Sequence, residues 1–411
     1  MEEFDVIIVG AGPSGMMAAI GAAQRKRKVL LIERNSSPGK KLLISGNSRC
    51  NLTNSCEIRE FLDKFSASGN FLRNAFAKFF NTELVSFFEN SNLKLKVEND
   101  GRIFPKTDQA GDVLGALKTR LKNRNIKIIF NQRVKKVLLR DGSVRGVLTN
   151  SNNSFSARKV VIATGGLSYP LTGSSGDGYR MAEELGHEII VLKPALVPVR
   201  IKEKFIRAWQ GIAFKNVRLT LFSGKKEMSH RFGEMLFTHF GISGPIVLDL
   251  SADIYDALRS ADKVTLGINF KPTLDNKKLD AMFLSEFSTS PKKTIKNIFK
   301  NLLPNKVIDG FFQYCCLDAG KTASQITAEE RKRMVKGLSD LRLTVTGVMP
   351  LKDGVVTRGG VNTKEINPKT MESKLISGLY FAGEMIDIDA GTGGYNMQAA
   401  FSTGWVCGNS L

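Results

Sequence analysis

The sequence predicts an α/β protein: a Rossmann-like nucleotide-binding domain split by an inserted region. Three observations predict it. The chain opens on a strand, a glycine-rich turn, a helix and a second strand. Near its other end, a strand running into Gly383 and Glu384 precedes a second glycine-rich turn and a helix. Between the two, the pattern changes to short β-like runs and then to lysine-rich helices.

The opening elements come first. FDVIIVG is a short, continuous apolar run, as a strand buried on both faces requires. Gly10-Ala11-Gly12-Pro13-Ser14-Gly15 follows, then the small-residue helix MMAAIGAAQR and the strand KVLLIE, ending at Glu33. This is a βαβ unit with GxGxxG at its first turn. Gly10 and Gly12 let the backbone turn and approach a pyrophosphate. Pro13 and Ser14 open the helix, whose N-terminus offers N–H groups to phosphate. Gly15 lets the helix pack on the strand. Glu33 stands 18 residues after Gly15, where a carboxylate binds a ribose hydroxyl pair. An acid there favours an adenosine without a 2′-phosphate.

The stretch SGNSRCNLTN, residues 45–54, reads as a polar loop. Residues 60–95 have helical periodicity, broken by GRIFP at 101–105. A helix over about 108–124, the strand IKIIF, and a hairpin around Arg140-Asp141-Gly142 follow. A strand over Lys159–Ala163 runs into Thr164-Gly165-Gly166, a second backbone approach to a nucleotide. LSYPLTGSSGDGY and a helix to about 186 complete this part.

From 191 to 275 the reading is β-rich, with VPVRI, VRLTLF, GPIVLDL and KVTLGINF as strands. From 276 to 345 it is helical. The expected organisation is therefore 1–190 and 346–411 as two parts of one nucleotide-binding domain, with 191–345 inserted. In LYFAGE another apolar strand meets Gly383 and Glu384. Gly393 and Gly394 then lead through Tyr395 and Asn396 into a last helix, so backbone N–H groups again converge on an anion or an electron-rich ring edge.

Composition bounds the function. Of 411 residues, 42% are hydrophobic, enough for a sizeable core. No apolar run approaches the roughly 20 residues that span a bilayer, so a cytoplasmic protein without a membrane partner is expected. Five cysteines without CxxC spacing and three histidines make a metal site unexpected and reduced thiols the simple reading. The formal charge is +21. Residues 191–345 hold 26 Lys and Arg against 15 Asp and Glu. That balance suits either a polyanionic partner, most plausibly nucleic acid, or a device for solubility. Three clusters stand out: Lys202-Lys204-Arg207, Lys292-Lys293-Lys296-Lys300 and Arg331-Lys332-Arg333-Lys336. The last two are spaced as helical faces.

GAGPSG, SGNSRCNLTN, GRIFP, ATGG with YPLTGSSGDG, THFGISGP, NPKTMESK and FAGEMIDIDAGTGGYNMQAAFSTG occur in that order. Together they resemble the YhiN-like flavoproteins, also called the BaiN/RdsA family, from about residue 4 to 408. The resemblance implies a glutathione-reductase-type FAD fold with a β-barrel-like and helical insert. It implies FAD as cofactor and NAD(P)H as electron donor. Members reduce a conjugated double bond in bile-acid precursors, oxidise an aminoketone, or reduce a uridine in large-subunit ribosomal RNA. Ribosomal RNA is thus the expected partner and dihydrouridine the expected product; a small-molecule enone or aminoketone is the alternative. Oligomeric state is not legible.

On this reading the polar loop swings back along the cofactor toward the flavin. Arg49, Cys50 and Asn51 are expected at the ring or ribityl chain, although its amides also suit fixing their own turns. Glu384 suits a ribityl hydroxyl; Gly393, Gly394 and Asn396 suit the flavin O2 edge. A reductase also needs an acid for the carbon beside the one that takes hydride. Cys50 is the first candidate, with burial as a small packing residue its plain alternative. Tyr169 and Tyr395, each beside a glycine-rich turn, and His239 in FTHFGISGP are the others.

Overall fold

A computed structural model describes residues 3–66, 68–122, 125–261 and 263–411. The chain forms two compact units, Met1–Lys193 with Leu351–Leu411, and Pro194–Pro350.

The first unit begins with β1 (Glu3–Val9), α1 (Pro13–Gln24) and β2 (Val29–Ile32). Its apolar strands are buried on both faces because helices cover the sheet. α2 (Lys40–Ser48), β3 (Thr53–Asn54), β4 (Leu95–Val97), β5 (Arg102–Pro105) and α3 (Ala110–Leu121) follow. β6 (Ile126–Ile129), the hairpin β7 (Val134–Arg140) and β8 (Ser143–Thr149), β9 (Ser154–Ile162), α4 (Asp177–Glu184) and β10 (Ile189–Ala195) complete this segment. The sheet runs β6-β2-β1-β9-β8-β7. β1 is parallel to both β2 and β9, with Val9 opposite Ile32 and Ile162. The small sheet β3-β5-β4 pairs Asn54 with Arg102 and Val97 with Ile103.

The second unit is a closed barrel. Its strands are β11 (Val199–Ile201), β12 (Ala213–Ser223), β13 (Lys226–Phe237), β14 (Gly241–Ser243), β15 (Val264–Asn269) and β16 (Leu341–Val348), in the order β11-β14-β13-β12-β15-β16. Val217, Leu219, Leu221, Leu266, Ile268, Leu341 and Leu343 fill its interior. α5 (Pro245–Ser260) follows β14, and α6 (Asn276–Thr289), α7 (Asn305–Cys315) and α8 (Ala328–Ser339) lie between β15 and β16.

Two expectations about this unit are corrected. GPIVLDL is the start of α5, not a strand: Gly244 is its N-cap and Pro245 its first residue, a helix-opening pair. The short apolar run reads either way by itself. Lys292, Lys293, Lys296 and Lys300 do not share a helical face. The helix there is the five-residue turn Ile295–Phe299, and Lys293 and Lys296 pair with Glu286 and Asp309. On α8, Arg331 pairs with Asp280 and Lys332 with Glu329, while Arg333 donates to the Cys315 and Cys316 carbonyls.

The chain then returns to the first unit with β17 (Val356–Val361), β18 (Leu379–Phe381) and α9 (Tyr395–Ser410). β17 pairs with β10. β18 lies parallel to the upper part of β9, with Phe381 opposite Ile162. The C-terminal ends of β1, β9 and β18 therefore meet, and the loops leaving them make the site.

Candidate functional site

The turn after β1 is built by close approach. A Cβ at Gly15 would stand 1.9 Å from the Gly10 carbonyl oxygen. Gly12, the N-cap of α1, has no atom within 4 Å of where its Cβ would be. The first bond of α1 runs from Met16 N–H to the Gly12 oxygen at 2.9 Å. The positive end of α1 thus opens onto space wide enough for a phosphate-bearing group. Glu33 ends β2, buried, with Oε2 accepting from Ala11 N–H at 2.8 Å. Its Oε1 accepts from the Asn35 backbone N–H at 2.8 Å and side-chain amide at 2.7 Å. A carboxylate has about four acceptor positions, so one on Oε2 is left for a hydroxyl.

Gly383 rests on Ser14: its Cβ would lie 2.4 Å from the serine oxygen, and its N–H donates to Thr403 Oγ1 at 3.0 Å. Glu384 next to it is tied on both oxygens. Lys41 Nζ donates to Oε2 at 2.7 Å; Thr357 N–H and the Ser168 hydroxyl donate to Oε1 at 2.9 and 3.0 Å. Burial alone would raise this carboxyl, but Lys41, Thr357 and Ser168 outweigh it and hold it below the usual range. Gly166 packs against the same carboxylate, where a Cβ would stand 2.7 Å from Oε1. Thr164 Oγ1 is buried without a hydrogen-bond partner among the described residues, and Gly165 turns left-handed beside Ser174.

The polar stretch SGNSRCNLTN is partly helical. α2 breaks at Ser45, and Gly46, Asn47 and Ser48 then adopt positive φ, as does Cys50. Non-glycine residues in that region are held at some cost by their surroundings. Here the Cys50 N–H donates to the Ser45 oxygen at 3.0 Å. The Cys50 thiol is fully buried, which pushes it up to about 12. Asn51 reaches the other end of the chain: with its amide assigned so that donors face acceptors, its oxygen accepts from Gly394 N–H at 3.0 Å and its nitrogen donates to the Thr53 oxygen at 3.0 Å. Asn54 donates to the Asp100 and Gly393 oxygens at 3.2 and 3.4 Å. Gly394 is the N-cap of α9.

Other residues take different partners. The Arg49 guanidinium lies 3.8 Å from the Phe104 ring centre and bonds Glu98 at 2.9 Å. Asn396 closes the loop before it, accepting from Ala390 N–H at 2.9 Å and donating to the Ala390 oxygen at 2.8 Å. Tyr395 packs edge-on against Phe61. Tyr169 is half-exposed and left-handed, beside Ser168 in the sequence. His239 is exposed in the second unit, edge-on to Phe240. The cradle therefore assembles Gly10–Gly15, Glu33, Thr164–Gly166, Gly383 and Glu384, with Asn51 and Asn54 linked to Gly394 and Gly393 at the start of α9, while Cys50 is buried against Ser45. Arg49 is turned to Glu98, and His239 belongs to the barrel unit.

Lys41, Ser168 and Thr357 escaped the sequence reading. Lys41 carries a weak signal: a lysine in the first turn of a helix opposes its dipole, which asks for a specific anionic partner. Asp389 also escaped it. This residue is 7% exposed, and its Oδ1 has no hydrogen bond among the described residues, with Arg358 Nε 3.9 Å away. Burial raises the Asp389 carboxyl, against the Ser66 bond and the Arg358 charge.

The comparisons agree with this architecture. The HI0933-like protein Rossmann domain family matches residues 4–410. A 3-dehydro-bile acid delta(4,6)-reductase of Clostridium scindens is 30% identical, and the match covers 98% of both chains. A ribosomal RNA dihydrouridine synthase of Haemophilus influenzae is 31% identical, again over 98% of both. Among solved structures, a 3-ketosteroid delta1-dehydrogenase from Sterolibacterium denitrificans shares the fold, with a TM-score of 0.54, 14% identity, and 100% and 99% of the two chains covered. The chain belongs to the HI0933-like Rossmann-domain family, the FAD-dependent oxidoreductases that its motifs resemble.

Proposed function

We propose that this chain reduces a uridine of large-subunit ribosomal RNA to dihydrouridine, with bound FAD and with NAD(P)H as electron donor. The two full-length relatives act on unlike molecules, yet share one reaction. The delta(4,6) double bonds of a 3-dehydro bile acid and the 5,6 double bond of uridine are all carbon–carbon double bonds conjugated to a carbonyl. Charge supports the RNA substrate. The barrel unit, 194–350, carries 25 Lys and Arg against 15 Asp and Glu in a chain of net +21, which favours a phosphate backbone over a neutral or acidic steroid.

The residues present fit FAD. Space over Gly12 and the N-terminus of α1 suit the pyrophosphate, with Pro13 and Ser14 in its first turn. Glu33 has an acceptor position left for a ribose hydroxyl. Thr164, Gly165, Gly166, Gly383 and Glu384 suit the ribityl segment; Asn51, Gly393, Gly394, Tyr395 and Asn396 suit the ring end. Bound there, FAD supplies hydride transfer. The Gly394 N–H is taken by Asn51, so the positive end of α9 as a whole meets negative charge at the ring edge. Of the proposed acids, Cys50 is fully buried next to Asn51 in the sequence, and its Sγ keeps its proton throughout the neutral range. Tyr169 is exposed and follows Ser168, whose hydroxyl donates to Glu384.

The test is nucleoside mass spectrometry of ribosomal RNA from cells with and without this protein, followed by reconstitution on unmodified RNA. Loss and recovery of a dihydrouridine are expected. Unchanged nucleosides overturn the proposal. Turnover of a steroid enone instead selects the second reading, which the Clostridium relative favours.

A further inference from the structure

The outer face of the barrel is an unusual surface. Strand alternation puts Val217, Leu219 and Leu221 of β12 inside. Arg218, Thr220 and Phe222 therefore lie outside. On β13, Arg218 stands opposite Phe232 and Thr220 opposite His230. Phe232 is 60% exposed and Met228 51%, with the His230 and Arg218 side chains also in solvent. The Arg342 guanidinium of β16 covers the Phe222 ring at 3.4 Å from its centre. Glu227 is the counter-charge on this face, accepting from Arg218 at 3.0 Å, and Asp340 holds Arg342 at 2.7 Å. The ribbon ends in Lys225, Lys226 and Lys263, exposed lysines with no carboxylate partner among the described residues; the Gly224 N–H donates to the Lys263 oxygen and holds them together.

We propose that this face of β12 and β13, with Phe232, Phe222 and Arg218 as its platform and Lys225, Lys226 and Lys263 at its end, docks single-stranded RNA. The proposal rests on the RNA reading above and adds where the RNA is held. The exposed Phe232 ring, without a polar tip, gives any base a face to stack on, worth about 1–3 kcal/mol per base, while the Phe222 ring backs the Arg342 guanidinium. Planar guanidinium groups beside rings stack in the same way. The lysines at one end meet the phosphates. The substrate chemistry asks for such a surface, because a uridine reduced at its 5,6 bond must be unpaired and unstacked, and its neighbours must be held open. A second copy of the chain is the rival occupant for apolar Phe232 and Met228. The lysines at the ribbon's end and the unit's positive charge favour the polyanion.

The experiment measures anisotropy of a labelled 12-nucleotide oligouridine titrated with FAD-loaded full-length protein at several salt concentrations. Phe232→Ala should weaken binding about tenfold, and Phe232→Trp should restore it. Lys225→Glu with Lys226→Glu and Lys263→Glu should lower the slope of log affinity against log salt by about 0.7 for each phosphate that is no longer neutralised. FAD content and NAD(P)H oxidation with a dye acceptor should stay at wild-type values, which shows that the variants fold. If wild type binds RNA in a salt-dependent way and these variants match it, this face is wrong while the RNA reading stands. If Phe232→Ala leaves RNA affinity unchanged but turns a self-associated protein into a monomer, a second copy is the occupant and the proposal is overturned. If wild type shows no salt-dependent RNA binding, both this proposal and the reading beneath it fall.

Discussion

The Asn51 amide oxygen and the Gly394 N–H meet at 3.0 Å, joining the polar loop after α2 to the start of α9. Gly394 sits at φ 94°, and a Cβ there would stand 2.6 Å from the Thr53 oxygen. The meeting point is therefore both a hydrogen bond and a steric seat. It fixes where the positive end of α9 points.

Replacing Asn51 with Ala should leave the Gly394 N–H and the Thr53 oxygen without their partner. Loss of such a partner costs about 1–3 kcal/mol. The expected outcome is a melting temperature several degrees lower and faster release of FAD, measured by scanning fluorimetry and flavin fluorescence. Unchanged FAD release would mean that the loop does not set the ring end of the site.

Gly12 and Gly15 should separate cofactor binding from folding. Gly12→Val meets open space and should fold with apo stability near wild type, yet retain no FAD. Gly15→Val drives its side chain into the Gly10 carbonyl and should not fold at all. Absorbance at the flavin band and the apo melting curve read the two effects independently. A Gly12→Val protein that purifies yellow would refute the pyrophosphate assignment.

The βαβ opening was legible because its geometry is local: a turn, a helix start and an acid at fixed spacing need no distant partner. Arg49 was not legible in the same way. Its partner Glu98 reaches it only because the chain between them folds into the antiparallel β3-β5-β4 sheet. Lys41 is one of 60 cationic residues, and nothing near it in sequence names Glu384. The start of α5 was misread because periodicity in a short apolar run lost to the plainer signal of Gly244 and Pro245.

Lys41→Met should invert the titration of Glu384. In the wild type this carboxyl lies below its ordinary value, so it adds stability above about pH 4 and loses it as the pH falls further. Without Lys41, burial dominates and raises it. The charged form then costs about 2 kcal/mol at neutral pH, a cost that disappears on acidification. The melting-temperature gap between the two proteins should be widest at pH 7 and narrow toward pH 4. A gap independent of pH would show that the ion pair is not its source.

His187 should act on the same acid flank of the stability profile, at higher pH than Glu384. Burial lowers its pKa, opposed by Glu365, which its Nδ1 meets at 3.0 Å; Nε2 lies 2.9 Å from the Ser373 hydroxyl. The unfolded chain therefore binds the proton more readily than the folded one. Stability from the neutral ring is present above about pH 6.5 and declines below it. His187→Gln should be less stable at pH 7.5 but flatter between pH 6.5 and 5. An equal slope in both proteins would place the acid sensitivity elsewhere.

Asp389 offers a test that distinguishes function from structure. Its carboxyl is raised by burial, against the Ser66 bond and the Arg358 charge, with Asp387 adding to the rise. A raised carboxyl that is still ionised near neutrality costs the fold stability there, and the cost fades as the pH falls toward its ordinary value. Asp389→Asn removes the charge at nearly constant shape. If the buried acid is kept for stability, the variant should melt lower. We expect the reverse, a melting temperature a few degrees higher at pH 7, because Oδ1 has no hydrogen bond to lose and Arg358 Nε lies 3.9 Å away. The stabilising effect should shrink toward pH 4, where the wild-type carboxyl also becomes neutral. Paired with this gain, the proposed function predicts slower uridine reduction with unchanged FAD content, since Asp389 directly precedes the Ala390–Gly394 loop proposed for the ring end of the site. A variant both more stable and fully active would show that the charge serves neither purpose; one less stable at every pH would assign Asp389 to the fold.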